Sequence, residues 1–161
     1  CGSGALSIAT AKHFPLAEVQ GIDYWPPMWN YGQKQCETNA AVEGVAERCA
    51  FQHGDAAKLD FPDNHFDAVV SNFVFHEVRT QKDKFMLVEE ALRVLKKGGA
   101  FALHDTFGNK DMYGNMDEFV AYLKEHGIAD VSYLPNTERN IPMPPLVRFM
   151  LRGIGMLYGT K

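Results

Sequence analysis

Three features of the sequence predict an α/β fold built on a doubly wound, mostly parallel sheet of Rossmann-like type. Strand-like and helix-like segments alternate along nearly the whole chain. The segment Phe66–Asn72 is almost entirely apolar, the pattern of a strand covered on both faces. Glycines and acids gather where strands end, at Gly2 and Gly4, Asp23, and Gly54-Asp55. In parallel α/β sheets the carboxyl ends of the strands are where ligands bind.

The elements follow in order. The turn Cys1-Gly2-Ser3-Gly4 leads into residues 5–11, a small and apolar run that suits a helix packed on a sheet and that Pro15 stops. Residues 18–23 read as a short strand ending in an acid. Pro26 and Pro27 open a helix to about Gly44, since proline is tolerated in a first turn. A second short strand, 49–53, closes at Gly54-Asp55. After the polar loop 58–65 comes the apolar strand Phe66–Asn72. Between residues 80 and 97, Phe85, Val88, Ala91, Leu92 and Leu95 recur at helical spacing. Lys96 and Lys97 suit that helix's C-terminus, and Gly98-Gly99 would supply its left-handed cap. Residues 100–104 form the next buried strand. The tail reads as a helix over 116–126, a strand over 130–134, a proline-rich piece over 141–145, a short helix over 146–151 and a closing strand over 153–158.

Composition bounds the function. The 161 residues are 46% hydrophobic and 22% charged, which suits one domain, 1–161, with its own core and excludes a disordered chain. No apolar run reaches the roughly 18 residues that a membrane-spanning helix needs. A net charge of −4 lacks the basic footprint of a nucleic-acid binder. Cys1, Cys36 and Cys49 are odd in number and show no ligand spacing. Neither a disulfide framework nor a metal site is expected, and a reducing, cytoplasmic setting fits.

Two constellations carry chemistry. In the first, Gly2 and Gly4 permit a tight turn and close ligand approach, and Asp23 ends the next strand. A carboxylate there suits a grip on two ribose hydroxyls. A dinucleotide fingerprint would want a third glycine where Ser7 stands. In the second, Asp55 could accept the exocyclic amine of adenine while the Ala56 N–H donates to a ring nitrogen. Each alone is equally compatible with ordinary turn chemistry. Their succession at neighbouring strand ends is harder to explain that way.

The pieces Cys1-Gly2-Ser3-Gly4, Gly21-Ile22-Asp23, Gly54-Asp55-Ala56, Phe66–Asn72 and Leu92-Arg93-Val94-Leu95-Lys96-Lys97-Gly98-Gly99 stand in the order and approximate spacing of one family. Together they resemble class I S-adenosylmethionine-dependent methyltransferases, and most nearly the small-molecule enzymes related to quinone-biosynthesis C-methyltransferases. The resemblance implies S-adenosyl-L-methionine as cofactor, S-adenosyl-L-homocysteine as product and a small-molecule acceptor, with an apolar one among those it admits. It implies that Cys1, Gly2, Ser3 and Gly4 pass close to the methionine part of the cofactor. Asp23 would bind the ribose, Tyr24 would lie against the adenine, and Asp55 and Ala56 would read its edge. Asn72 and Phe73 would sit by the methionine moiety and the substrate entrance. The family's first strand should precede Cys1, so the sequence predicts a sheet lacking its first strand, a longer natural protein, and misfolding or aggregation of residues 1–161 alone. Asn72 is followed by Phe73-Val74-Phe75 rather than the Pro-Pro-aromatic pattern of enzymes that methylate nucleic-acid bases.

Methyl transfer needs a dry, well-oriented site. Phe73, Phe75, Tyr24, Trp25 and Trp29 are candidates to line it, with ordinary core packing as the alternative for each. If the acceptor must lose a proton, the candidate bases are His76 and His104, with Asp105 placed to orient the latter. The apolar residues after Pro145, with Arg148 and Arg152, read either as a lid or interfacial patch for a greasy acceptor or as a helix packed on the sheet edge; the sequence favours the second. Two other functions fit the same residues: a dinucleotide-dependent oxidoreductase, and a methyltransferase-like domain that binds without catalysis.

Overall fold

A computed structural model of the chain describes residues 1–25 and 32–161, which fall into two compact units, Cys1–Lys58 and Leu59–Lys161. The expected helix start at Pro26 and Pro27, and Trp29, lie outside the described residues.

The first unit runs α1 (Ala5–His13), β1 (Val19–Asp23), α2 (Gln33–Val42) and β2 (Cys49–His53). The chain enters α1 through Gly4 at φ +89°, a left-handed conformation that glycine adopts without steric cost. The two strands pair in parallel, with Val19 opposite Cys49 and Asp23 opposite His53, so both carboxyl ends lie side by side. Ile8 and Ala11 of α1, Cys36 and Ala40 of α2, and Val45 and Phe51 make the core. Gly21 is required here: a Cβ at this position would lie 2.6 Å from the Phe51 ring. The Arg48 guanidinium donates to the carbonyls of Ala11, at 2.8 Å, and of Phe14 and Ala17, satisfying the end of α1 and the chain that leaves it.

In the second unit the order is β3 (Phe66–Asn72), α3 (Lys84–Val94), β4 (Leu95–Asp105), α4 (Lys110–Tyr113), α5 (Met116–Glu125), β5 (Asp130–Pro135), α6 (Pro145–Met150) and β6 (Gly155–Thr160). Its sheet has the order β3-β4-β6-β5. Strands β3 and β4 are parallel, while the closing strand β6 inserts antiparallel to both β4 and β5. Asp83 caps α3, accepting from the Phe85 N–H, and Asn115 caps α5 in the same way. Leu87, Val88, Ala91 and Leu92 of α3 are buried with Leu103 of β4, Phe119 of α5 and Leu157 of β6.

The second unit departs from the sequence reading in three places. Helix α3 ends at Val94, three residues early, and the chain passes directly into β4 at Leu95. Its terminal carbonyls are not capped by Gly98-Gly99; Lys161 supplies that, donating from Nζ to Leu92 O and Leu95 O at 2.8 Å each. Gly98 is left-handed, at φ +78°, but serves a register irregularity between β3 and β4. Strand β3 was expected to be covered on both faces, yet Val70 is 45% exposed, and among the described residues the strand pairs with β4 alone. Helix α6 is exposed along its length rather than packed on a sheet edge. No helix among the described residues is long and apolar enough to cross a membrane.

Candidate functional site

The first unit gathers its candidate residues at the ends of β1 and β2. The glycine turn is closed by Gly4 N–H donating to Cys1 O at 2.9 Å. Gly2 O accepts from Trp25 Nε1 at 2.9 Å and from Cys36 Sγ at 3.2 Å, and Ser3 O accepts from Asn39 Nδ2 at 2.9 Å. The turn is thus held from β1's exit and from α2. Trp25 packs partly buried against the core and pins the turn with its ring N–H, so its structural role is clear.

Asp23 is the hub. Its Oδ2 accepts from the Cys1 amine at 2.6 Å and the Gly2 N–H at 2.7 Å, and its Oδ1 accepts from the Trp25 N–H at 2.9 Å. Burial opposes ionisation of this carboxyl, and the Trp25 and Gly2 N–H groups favour it. A carboxylate has about four acceptor positions, so one on Oδ1 is left for a ligand hydroxyl.

Asp55 follows β2. Its Oδ1 accepts from the Ala57 N–H at 2.9 Å, an Asx turn that fixes the side chain and leaves Oδ2 without a donor among the described residues. The neighbouring Gly54 N–H donates to Asp23 O at 2.9 Å, tying the two strand ends together. Tyr24 is 54% exposed, and its ring centroid lies 5.0 Å from that of His53. His53 is absent from the residues singled out in the sequence. Strand register is what brings it here, opposite Asp23.

The second unit gathers its own set after β3 and β4. Asn72 ends β3, and Phe73 turns the chain at φ +55° with its N–H donating to His104 O at 2.8 Å. The Phe73 ring packs edge-on to both histidines, with centroids 5.2 Å from His104 and 6.1 Å from His76. His104 Nδ1 lies 2.8 Å from Asn72 Oδ1, and its Nε2 lies 2.7 Å from Thr137 Oγ1. Burial lowers its pKa, with the Asp105 charge opposing. Phe75 is core, 4% exposed.

Asp105 was expected to orient His104; it orients His76 instead. Successive strand residues point to opposite faces, so His104 and Asp105 diverge from adjacent positions in β4. Asp105 is fully buried, and its Oδ1 lies 2.8 Å from His76 Nδ1. Thr137 and Glu138 were also missed by the sequence reading. Glu138 is buried with Oε2 unpaired among the described residues, and with Arg139, Arg148, Phe149 and Arg152 it lines an open cavity of about 350 Å³ beside α6.

Parallel strand ends carrying an acid, a glycine turn and an exposed aromatic define an α/β domain of the ligand-binding, strand-end type. Residues 1–103 match the family model described as a methyltransferase domain, and the chain belongs to that family. It is 28% identical over 152 residues to demethylmenaquinone methyltransferase of Bacillus licheniformis, covering 88% of this chain and 61% of that protein. It is 37% identical over 107 residues to the enzyme of that name from Staphylococcus aureus, covering 66% of this chain and 40% of the other. The chain thus spans about three-fifths of the first relative's length and less of the second's. Among solved structures, a phosphoethanolamine N-methyltransferase 2 of Haemonchus contortus superposes with a TM-score of 0.68 at 17% identity, over 99% of this chain and 47% of that one. That protein is in complex with phosphomonomethylethanolamine and S-adenosylhomocysteine. The expected methyltransferase fold is borne out, and the oxidoreductase alternative gives way to the family match.

Proposed function

We propose that the protein transfers a methyl group from S-adenosyl-L-methionine to a small, apolar acceptor. The observation that carries this reading is the pairing of Asp23 and Asp55 at neighbouring parallel strand ends. Each is fixed by backbone donors and each retains free acceptor capacity. These residues fit an adenosine group. Asp23 Oδ1 would take one ribose hydroxyl, Asp55 Oδ2 the adenine amine and the Ala56 N–H a ring nitrogen. Tyr24 would stack on the base. Cys1, Gly2, Ser3 and Gly4 would line the amino-acid end, with the first N–H groups of α1 available to a carboxylate.

Within the second unit we assign Asn72 and Phe73 to the acceptor mouth. Asn72 Oδ1 already engages His104, so its amide N–H groups are what it has left to offer. The cofactor, when bound, supplies a sulfonium methyl: the S–CH₃ bond breaks with its electron pair going to sulfur as the acceptor atom bonds to carbon. The chain's own task is to hold the partners in line, exclude water and, for an acceptor bearing a proton, remove it. Both nitrogens of His104 are engaged, whereas His76 is part-exposed and, among the described residues, its Nε2 faces Glu77 Oε1 alone, at 3.4 Å. His76 is therefore the base in this reading, and no metal is invoked.

The exposed apolar side chains of α6 support an apolar acceptor. The names of the relatives make demethylmenaquinone the first compound to test. The unpaired thiols of Cys1, Cys36 and Cys49 suit a cytoplasmic setting. The deciding experiment is calorimetric titration of the full-length protein with S-adenosylhomocysteine and with NADH, followed by transfer of labelled methyl to demethylmenaquinone. Saturable binding of the first ligand alone is expected. Binding of NADH, or of neither, would overturn the assignment.

A further inference from the structure

We infer that Asp105 is a positioning residue for His76, fixing which ring nitrogen is free to take the acceptor's proton. This rests on the reading of His76 as the base. It adds a residue, at the far end of a different strand, through which that base is made competent.

Asp105 has no exposed surface, and among the described residues its carboxylate accepts from two backbone N–H groups and a hydroxyl. Oδ2 accepts from the Phe75 N–H at 2.9 Å. Oδ1 accepts from the Thr106 N–H at 2.7 Å, more distantly from the Thr106 hydroxyl at 3.3 Å, and faces His76 Nδ1 at 2.8 Å. A carboxylate whose two oxygens each accept from a backbone N–H presents acceptor positions to the imidazole beside it. His76 Nδ1 must then carry a hydrogen. The neutral ring is held as the Nδ1–H tautomer, with the lone pair on Nε2 at the part-exposed edge.

Geometry supplies the second half. The Phe75 N–H bond and the His76 bond both belong to the single turn Phe75–Glu77 that follows β3. One carboxylate therefore fixes the backbone that presents the imidazole and the rotation of the ring itself. When Nε2 accepts a proton from the acceptor, the electron pair of that bond stays on the acceptor atom. Nδ1 keeps its own hydrogen, and the imidazolium formed lies between Asp105 and Glu77 until it releases the proton to solvent. Asp105 itself gains no proton. The charged and titratable groups facing this pair are Glu77, Lys84, Tyr113 and His104. Burial lowers the pKa of Lys84, whose ammonium is held by the carbonyls of Val78 and Gln81.

The test reads the tautomer directly. In the full-length protein labelled with ¹⁵N-histidine, His76 at neutral pH should show a protonated Nδ1 and a bare Nε2. Asp105→Asn must turn its NH₂ toward a donor on one side or the other, so the tautomer should become mixed or reversed. With demethylmenaquinone as acceptor, kcat should fall about 10²- to 10⁴-fold and its acid limb should move. The Kd for S-adenosylhomocysteine should stay unchanged, and Asp105→Glu should restore part of kcat. In a His76→Gln background, Asp105→Asn should cost nothing further, since a residue that acts through another has no separate effect. An Nε2–H tautomer in the unsubstituted protein, an unchanged tautomer in a folded Asp105→Asn variant, or additive losses in the double variant would each overturn the inference. Should no acceptor be methylated, the proposed function fails, while the tautomer measurement alone still upholds or overturns the positioning role.

Discussion

His104 faces Asn72 directly across the β3–β4 pair, and its Nδ1 lies 2.8 Å from Asn72 Oδ1. The amide oxygen can only accept, so Nδ1 carries the hydrogen, and the Thr137 hydroxyl donates to Nε2. A ring satisfied on both sides is neutral, and burial keeps it so by lowering its pKa below the ordinary 6.5.

That pairing makes stability depend on pH in a defined window. Above 6.5 the ring is neutral in the folded and unfolded chain alike, and its contribution is present in full. As pH falls below that value the unfolded chain binds a proton that the folded ring refuses. Stability is then lost until the lowered folded value is passed. Melting temperatures at about pH 7.5 and about pH 5.5 should differ less in His104→Gln than in the unsubstituted protein. Equal slopes would mean that the ring is not held neutral.

Asp55 should act as a discriminator of bases. An adenine amine donates to its free Oδ2, whereas a hypoxanthine carbonyl would bring acceptor against acceptor. A hydrogen bond to a charged group is worth about 1.5–3 kcal/mol, so S-adenosylhomocysteine should bind about 10- to 100-fold more tightly than S-inosylhomocysteine. In Asp55→Asn, whose amide can present either group, the preference should largely vanish while the melting temperature changes little. Calorimetry with both ligands checks this, and an undiminished preference would remove Asp55 from the base-reading role.

Much of this was legible in the chain. Strands β1, β2 and β3 are short and end at acids, Asn72 or glycine, so their bounds follow from sequence to within a residue. The cap of α3 was not legible, because its donor, Lys161, is 69 residues beyond Leu92. Nor was the Asp105–His76 pair, whose members are 29 residues apart and meet only once β3 and β4 are in register. In sequence Asp105 stands beside His104, and strand alternation separates those two neighbours. Candidate groups at strand ends are readable locally; which of them touch is decided by pairing register.

Gly159 shows the same dependence at the edge of the second sheet. It pairs with Val131, and a Cβ added to it would fall 1.9 Å from the Asp130 carbonyl oxygen, which is backbone and cannot rotate away. Gly159→Ala should therefore destabilise the unit by about 1–3 kcal/mol, as overpacking does. Denaturant unfolding should show a lower midpoint with an unchanged slope. A neutral result would mean that β5 and β6 are not held in this register.

Helix α6 offers a prediction that separates fold from function. Leu146 and Phe149 are 71% and 72% exposed, so replacing both with serine removes little packing and should leave stability within about 0.5 kcal/mol. If these side chains receive the apolar part of the acceptor, the loss is felt there instead. Removing some 50 Å² of apolar contact costs about 1.3 kcal/mol, or roughly tenfold in KM. The effect should be confined to an acceptor with an apolar tail and absent for the same ring without it, since the ring is placed by Asn72, Phe73 and His76. Equal KM values for the tailed acceptor before and after substitution, in a protein of unchanged stability, would show that α6 takes no part in binding it.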